Sequence, residues 1–518
     1  MIQKPASAAP AARLEEDDND NDDDNTPPYY DPNEDSQDNN LNDYLDPDDD
    51  DDDDDNNNPS SSSSSSSTTP ISSPNGKQRI TIIGTGWAGH TLATSLDPHK
   101  FAITIISPSP SLVYTPLLAR VAAAPAAPAP HLAEEPVRNR AGTRNRIRYV
   151  KARVESADLA RRRLRVRTAF EWPRGADDEE KVVLDDDDGM RFDVLAVAPG
   201  CVADLLGDVP GAAEYAQFVR TAEDARVLRR RLLELLDKAS VPGLTEWERR
   251  DRLRVVVVGG GPVGWELCVE VGGLVRGELG RLYPGVVGLL RVVVFDVGAR
   301  IRSAYERRLY EYARERLVGR EGVEVRVDAH VERVGREELW TKEDGRVPCG
   351  LVIWATANTN VPLVERLDAK KSSGGLVRLL TDSRLRVYKP EGEVEADGSG
   401  DVDDDDKVWE GVYGLGDACD IEGAPLPTTA EVAVQKARYL ASVLNSGSET
   451  PYKYRPKGLA TYLGGHDGII QDGEWTGKLA WLSWKQGSSA WTRSFRTRSM
   501  MFLTWGFNRL FGTELARL

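Results

Sequence analysis

The sequence has few cysteines. The four in its 518 residues, Cys201, Cys268, Cys349 and Cys419, are far apart and none forms a CxxC. That excludes a disulfide scaffold and a redox-active dithiol. Long apolar runs are missing as well, and none approaches the roughly 18 residues that a membrane-spanning helix needs. The opening MIQKPASAAPAAR lacks the apolar core of a secretory signal, and acids follow at once, which a mitochondrial transit peptide avoids. No address is readable there. Large apolar residues are scarce up to Gly76, where runs such as PDDDDDDDDNNNP and SSSSSSSS take their place. So little apolar surface cannot offset the entropy of ordering a chain, and residues 1–76 are expected to form a disordered acidic tail.

The tail also carries the charge. It holds 22 acids against Lys4 and Arg13, a balance of −20, while the whole chain is −18, so the remainder is close to neutral at +2. The acidity belongs to a solubilising or binding tail and not to the folded part, and no nucleic-acid partner is expected. Two further acid-rich stretches, EWPRGADDEEKVVLDDDDG and KPEGEVEADGSGDVDDDDK, interrupt strand patterns as surface insertions. Neither has the sixth-position glycine of a calcium loop, so no metal site is expected.

From Arg79 the grammar is strand (RITIIG), Gly-rich turn, helix (about Ala88 to Leu96) and strand (FAITIIS), a βαβ unit. A second copy starts at Leu253, with RVVVVG, the turn GGGPVG, a long helix from Trp265 and RVVVFD ending at Asp296. Between them RIRYVKARVESADLARRRLRVRT alternates like paired strands, and FDVLAVAPG reads as a buried strand. VEVRVDAHVERV and GLVIWATAN continue the pattern. The fold class expected is α/β, with two Rossmann-like nucleotide-binding domains, the second inserted in the first. Residues 77–220 and 386–455 form the first domain, 221–385 the second, and 456–518 a C-terminal region.

Each turn reads GxGxxG. The first glycine, Gly84 or Gly259, permits the tight turn; the second, Gly86 or Gly261, lets backbone approach a pyrophosphate; the third, Gly89 or Gly264, lets helix and strand pack closely. The helix N-terminus then meets phosphate charge with its N–H groups. The end of the second strand separates the two sites. Asp296 is placed to accept from ribose hydroxyls and to repel a 2′-phosphate, favouring NADH over NADPH, with Arg300 nearby softening that preference. The first unit ends in Ser107, which departs from the acidic rule. Near the C-terminal end, VYGLGDACDIEGAPLPTTAEVAVQKARYLA carries Gly416-Asp417 at a strand end, where the carboxylate can meet the ribitol of an FAD and the next helix can aim its N-terminus at the flavin ring. FAD is therefore assigned to the first cradle and NADH to the second.

With these segments assembled, the chain resembles the type II NADH dehydrogenases, the single-subunit alternative NADH:ubiquinone oxidoreductases. IIGTGWAG, IISPSPSLVYTPLLARVAAA, VVVVGGGPVGWELCVEV, GLVIWATAN, VYGLGDAC, LPTTAEVAVQKARYLA and ATYLGG carry the resemblance, in the family's order. YTPLL, with Thr115 and Pro116, is the most discriminating and resembles the family's loop beside flavin and quinone. The resemblance implies a ping-pong reaction in which NADH passes hydride to a bound flavin and ubiquinone then takes two electrons, without proton pumping. It places Glu266 near the nicotinamide and Gln435 by flavin and quinone. Glu270, one turn after Glu266, is either a second acid at the cofactor or the polar side of the helix. The family usually reads close to AQVAxQEA where this chain has AEVAVQKA, so Glu431 and Lys436 are substitutions expected at the quinone entrance.

From Trp475 onward Lys478, Lys485, Arg493, Arg496, Arg498, Arg509 and Arg517 stand against one acid, Glu514, interleaved with tryptophans and MMFLTWGFNRLF. Such segments lie in a membrane interface, or pair two copies as a homodimer. The resemblance puts the protein on the mitochondrial inner membrane, peripherally. Two alternatives are an apoptosis-inducing-factor-like NAD(P)H:quinone reductase outside mitochondria, and a flavin-binding redox sensor or scaffold with a decayed quinone site.

Overall fold

Short runs of isoleucine and valine closed by glycine become parallel strands buried on both faces, as sheets covered by crossover helices require. The computed structural model describes residues 76–123, 129–138, 147–170, 190–296, 323–391, 405–448 and 450–456, with shorter pieces at 311, 314–315, 317–321, 460–462, 467–470, 475–480 and 494–511. The acidic tail to residue 75, the first acid-rich insertion, most of the second, Arg300 and much of the Trp-rich C-terminal stretch lie outside them.

The first sheet has ten strands. Its centre is parallel: Val408–Gly414, Val194–Val197, Gln78–Ile83, Phe101–Ser107 and Ile147–Asp158 lie side by side. Alternation along the strands feeds two cores. Ile80, Ile82, Ile103 and Ile105 pack beneath the Trp87–Ser95 and Ala430–Ser446 helices, while Ile83, Ile106, Leu195 and Val197 pack with Leu363, Val364 and Leu367 on the other face.

The second sheet has five parallel strands, in the order Gln217–Phe218, Leu351–Trp354, Arg254–Val258, Arg291–Phe295 and Glu324–Arg326. Val255 and Val257 face the helices; Val256 and Val258 face an antiparallel three-stranded sheet formed by Val331–Val334, Glu338–Thr341 and Gly345–Pro348. The chain leaves the first sheet through Cys201–Ala203 and returns through Asn358–Asn360, and these two crossing strands pair with each other.

Two short strands near the expected boundaries of the inserted unit lie in the other sheet: Gln217–Phe218 belongs to the second sheet, and Leu379–Thr381 belongs to the first, where it pairs with Cys419–Ile421. A sequence pattern marks strands but cannot say which sheet a short strand joins.

At the outset of the first strand Arg79 grips Asp193 across 114 residues. The backbone N–H of Arg79 donates to Asp193 Oδ2 at 2.7 Å, and its guanidinium donates to Oδ2 at 3.1 Å and to Oδ1 at 2.7 Å. Burial works to raise the Asp193 pKa, but the Arg79 hydrogen bonds and charge outweigh it and hold the carboxyl below the usual carboxylate range. A depressed folded pKa contributes stability that is present above the unfolded value and is lost as pH falls through the folded one. Asp193→Asn is accordingly expected to cost about 2 kcal/mol at neutral pH, the worth of a hydrogen bond to a charged group. Unfolding followed across pH should show the deficit shrinking under acid conditions; a deficit independent of pH would mean the pair contributes only packing.

Candidate functional site

Both Gly-rich turns are built alike. Gly84 N donates to Ile106 O at 2.9 Å and Gly259 N to Phe295 O at 2.8 Å, so each loop hangs from the end of the second strand of its unit. Gly84 has φ +103° and Gly259 φ +109°, backbone that L side chains rarely adopt. A methyl at either would strike a neighbouring carbonyl, that of Ala198 or Ala355. Gly89 and Gly264 are pressed onto the carbonyls of Gly84 and Gly259, again with no room for a methyl. The middle glycines differ: a methyl on Gly86 or Gly261 would meet nothing within 4 Å. Each middle position opens onto space above its loop.

The helix ends fit an anion there. Helices starting after Thr221, Thr245 and Thr429 have their first turns capped by the threonine side chain. The Trp87–Ser95 and Pro262–Leu274 helices start at Gly86 and Gly261 with no side-chain cap. Their leading N–H groups are oriented for a phosphate. Two open cradles, each with an uncapped helix end, fit the pyrophosphates of two dinucleotides.

The residues closing the second strands hold the loops. Ser107 Oγ lies 3.1 Å from Thr85 Oγ1, and Thr85 Oγ1 donates to Ser109 O at 3.0 Å. Asp296 Oδ2 accepts from Gly260 N at 2.8 Å. Thr85 and Gly260 are equivalent positions, the residue between the first two glycines, so a hydroxyl performs in the first unit what a carboxylate performs in the second.

Thr115 meets the first cradle's helix at Trp87, and Pro116 follows it in the chain. They begin a short helical turn, Thr115–Leu117, where Trp87 Nε1 donates to Thr115 Oγ1 at 3.3 Å and the Trp87 ring lies 5.8 Å from that of Tyr114. The Gly416-Asp417 turn lies against the same helix, where a methyl placed on Gly416 would meet Ala88. The first loop is thus built from Gly84, Gly86, Gly89 and Ser107, with Thr115 meeting it through Trp87, and the second from Gly259, Gly261, Gly264 and Asp296, with Glu266 on the helix that follows.

The two glutamates on the second cradle's helix part company. Glu266 is half-buried, whereas Glu270 is 3% exposed and forms an ion pair with Arg120 Nε at 3.6 Å. Arg120 lies on the short Leu118–Ala123 helix that follows YTPLL, so the pair joins the first unit to the second in an apolar seam. Glu270 is therefore not on a solvated polar side of its helix but is a buried partner of Arg120. The signal was present in the sequence: a lone arginine in LLARVAAA needs a partner if that run is buried.

Gln435 has protein partners, and Lys436 is placed otherwise than expected. The Gln435 amide donates to Arg455 O and to Glu431 Oε1, each at 2.7 Å, and accepts from Arg455 N at 3.1 Å, so it fastens the segment after the helix. Lys436 is 1% exposed, with Nζ donating to Cys419 O at 3.3 Å, and burial depresses its pKa. It supports the Asp417 turn from inside and does not line an entrance. The sequence reading also missed Cys201, whose thiol donates to Asp417 Oδ2 at 3.3 Å.

Among the described residues no group of three His, Cys, Asp or Glu is placed to hold a metal ion, and no helix is long and apolar enough to cross a membrane. All four cysteines are free.

Comparison with known proteins agrees with this architecture. A probable NADH dehydrogenase of Dictyostelium discoideum is 26% identical over 450 residues, covering 85% of this chain and 91% of that one. The external alternative NAD(P)H-ubiquinone oxidoreductase B1, mitochondrial, of Solanum tuberosum is 25% identical over 537 aligned positions, with the same coverage of 85% and 91%. Among solved structures, NDH2 from Plasmodium falciparum in complex with NADH superposes with a TM-score of 0.70 at 18% identity, covering 85% of this chain and all of that one. The family described as pyridine nucleotide-disulphide oxidoreductase matches residues 78–437, the span that contains both cradles and the Asp417 turn. With two glycine cradles on two parallel sheets and that match over most of its length, the chain belongs to the pyridine nucleotide-disulphide oxidoreductase family.

Proposed function

We propose that the chain is an FAD-dependent NADH:ubiquinone oxidoreductase that passes two electrons without pumping protons, with FAD in the Gly84–Gly89 cradle and NADH in the Gly259–Gly264 cradle. The observation that carries the assignment is the Asp417 turn, which packs on the helix of the first cradle and so gives that site a carboxylate for a ribitol chain. The names of the relatives support the overall reaction. FAD, when bound, supplies a two-electron carrier between nicotinamide and quinone.

The protein's part is placement. Backbone N–H groups after Gly86 and Gly261 hold the two pyrophosphates, and Asp296 takes the NADH ribose while fastening its own loop. Glu266 stands on the cradle helix on the nicotinamide side, and Thr115 and Pro116 line the flavin edge. Arg120 and Glu270 keep the helices of the two units in register, so that bound donor and acceptor meet in a fixed orientation. The absence of a CxxC leaves the chain no dithiol to relay electrons.

The enzyme sits peripherally on the mitochondrial inner membrane through the Phe495–Phe511 helix. Thr497 Oγ1 donates to Glu135 Oε2 at 2.9 Å and Met501 packs against the core, which fixes one side of that helix. On the other, Leu503, Phe507, Leu510 and Phe511 are 58% to 79% exposed. Apolar side chains exposed along one face match an interfacial helix. A second copy of the chain is the competing occupant of that face.

Three outcomes test these statements. Gly86→Val should fold but lose the yellow flavin, while Gly261→Val should keep it and raise KM for NADH by roughly tenfold or more, the factor that 1.4 kcal/mol supplies; the reverse pattern would exchange the two sites. The retained flavin should then support NADH oxidation with ubiquinone-1, and activity with ferricyanide alone would remove the quinone from the reaction.

Asp296→Asn and Asp296→Ala should both shift preference toward NADPH, with Ala also weakening NADH by about tenfold through loss of the loop acceptor. An unchanged ratio of NADH to NADPH rates would take Asp296 off the ribose.

Leu503→Glu with Phe507→Glu should reduce co-sedimentation with anionic vesicles at least about tenfold, since each large apolar side chain contributes about 1.5–3 kcal/mol when buried. Unaltered sedimentation together with a change from dimer to monomer would assign the face to a second copy.

A further inference from the structure

The crossing ribbon between the two sheets touches the flavin-side carboxylate. Cys201 opens the outgoing strand and Asn358 the returning one. Arg220, just ahead of the Ala222–Ala239 helix of the second unit, spans both. Its guanidinium donates to Asn358 Oδ1 at 2.7 Å, to Cys201 O at 2.8 Å and to Cys201 Sγ at 3.6 Å. Cys201 Sγ in turn donates to Asp417 Oδ2 at 3.3 Å. Asp417 is half-buried at the end of the Val408–Gly414 strand, 216 residues away from Cys201 in sequence.

We propose that Cys201, held by Arg220, is a positioning residue that fixes the Asp417 carboxylate for the flavin ribitol and ties that carboxylate to the hinge between the two nucleotide-binding units. One carboxylate oxygen is taken by the thiol, which selects a rotamer and leaves the other for a ribitol hydroxyl. The hinge thereby reads out at the flavin: a rotation that moves Arg220 moves the thiol, and with it the carboxylate.

The chemistry requires the thiol to stay protonated, because a thiolate beside Asp417 would repel it. Burial and the Asp417 charge together push the Cys201 thiol up to about 11, with Arg220 opposing them. At neutral pH it is a donor. The other three thiols are at most 2% exposed and have no part in the hinge, so Cys201 is the accessible thiol of the four.

This inference rests on the assignment of FAD to the first cradle, and the test separates the two. Holoenzyme carrying Cys201→Ala, Cys201→Ser or Asp417→Asn is assayed for FAD dissociation and flavin reduction potential, and the rate at which iodoacetamide alkylates Cys201 is compared between the wild type and Asp417→Asn. Cys201→Ala should weaken FAD about tenfold, as loss of a hydrogen bond to a charged group does, and shift the potential. Cys201→Ser, which restores a donor, should recover wild-type affinity within about threefold, on the same scale. Asp417→Asn should weaken FAD and speed alkylation, because the charge that holds the thiol protonated is gone. FAD affinity and potential unchanged in Cys201→Ala, or lowered equally in the Ala and Ser variants, would overturn the positioning role. An alkylation rate unmoved by Asp417→Asn would overturn the contact itself. If Asp417→Asn leaves FAD affinity intact, the placement of Asp417 at the flavin fails, and the inference with it.

Discussion

Everything about the two cradles follows from how closely a helix is allowed to approach the strand it follows. Gly89 lies on the carbonyl of Gly84, and Gly264 on that of Gly259, with no room for a methyl in either place. The approach forces the helix to start immediately after the strand, so its first-turn N–H groups emerge over the loop and not beyond it. The start must then be left uncapped, and both helices are, whereas three other helices in the chain recruit a threonine. An uncapped helix end at a half-open loop is unfavourable until an anion arrives. The phosphate binding sites are thus a consequence of packing density, and the open middle glycines keep them accessible.

The second requirement is that two such cradles face each other at a constant distance. An apolar seam supplies most of the adhesion, with Leu118, Ala119, Val121 and Ala122 packed in the same core as Trp265, Leu267 and Val271. Apolar contact is non-directional and permits sliding. The Arg120–Glu270 pair placed within it does not. Desolvating two charges costs several kcal/mol, so such a pair adds little net stability compared with a hydrophobic replacement, but removing one partner costs about 3–5 kcal/mol. An arrangement of that kind penalises wrong registers more than it rewards the right one, which suits an interface where donor and acceptor rings must meet.

Much of this was legible in the sequence because it is written locally. GTGWAG and GGGPVG each contain all three glycine roles within six residues, and Ser107 and Asp296 stand at the ends of readable strands. The Asp417 turn was legible for the same reason. The hinge was not, because Cys201, Arg220, Asn358 and Asp417 belong to four separate segments that only the fold brings together. Neither was the sheet membership of Leu379–Thr381, since three residues carry no period. Lys436 is a different case. Val432, Lys436 and Leu440 recur at helical spacing, and all three are buried, so the pattern already put the lysine on the inner face of its helix. Attention to a familiar motif hid a signal that periodicity contained.

The contrast between Ser107 and Asp296 bears on why the two cradles hold different partners. Both fasten the same loop position, one with a neutral hydroxyl and the other with a carboxylate. A ligand that stays bound gains its affinity from contacts spread over a long buried surface. It needs no charge at the ribose for selection. A ligand that exchanges each turnover must be recognised in a short encounter and rejected when it carries an extra phosphate. A carboxylate at that strand end can do both, accepting from hydroxyls and repelling a dianion. Because Asp296 also holds Gly260, the loop geometry and the choice of nucleotide depend on the same oxygen pair. Removing the side chain therefore alters selectivity and loosens the loop together, whereas an amide at that position keeps an acceptor for Gly260 and changes only the charge.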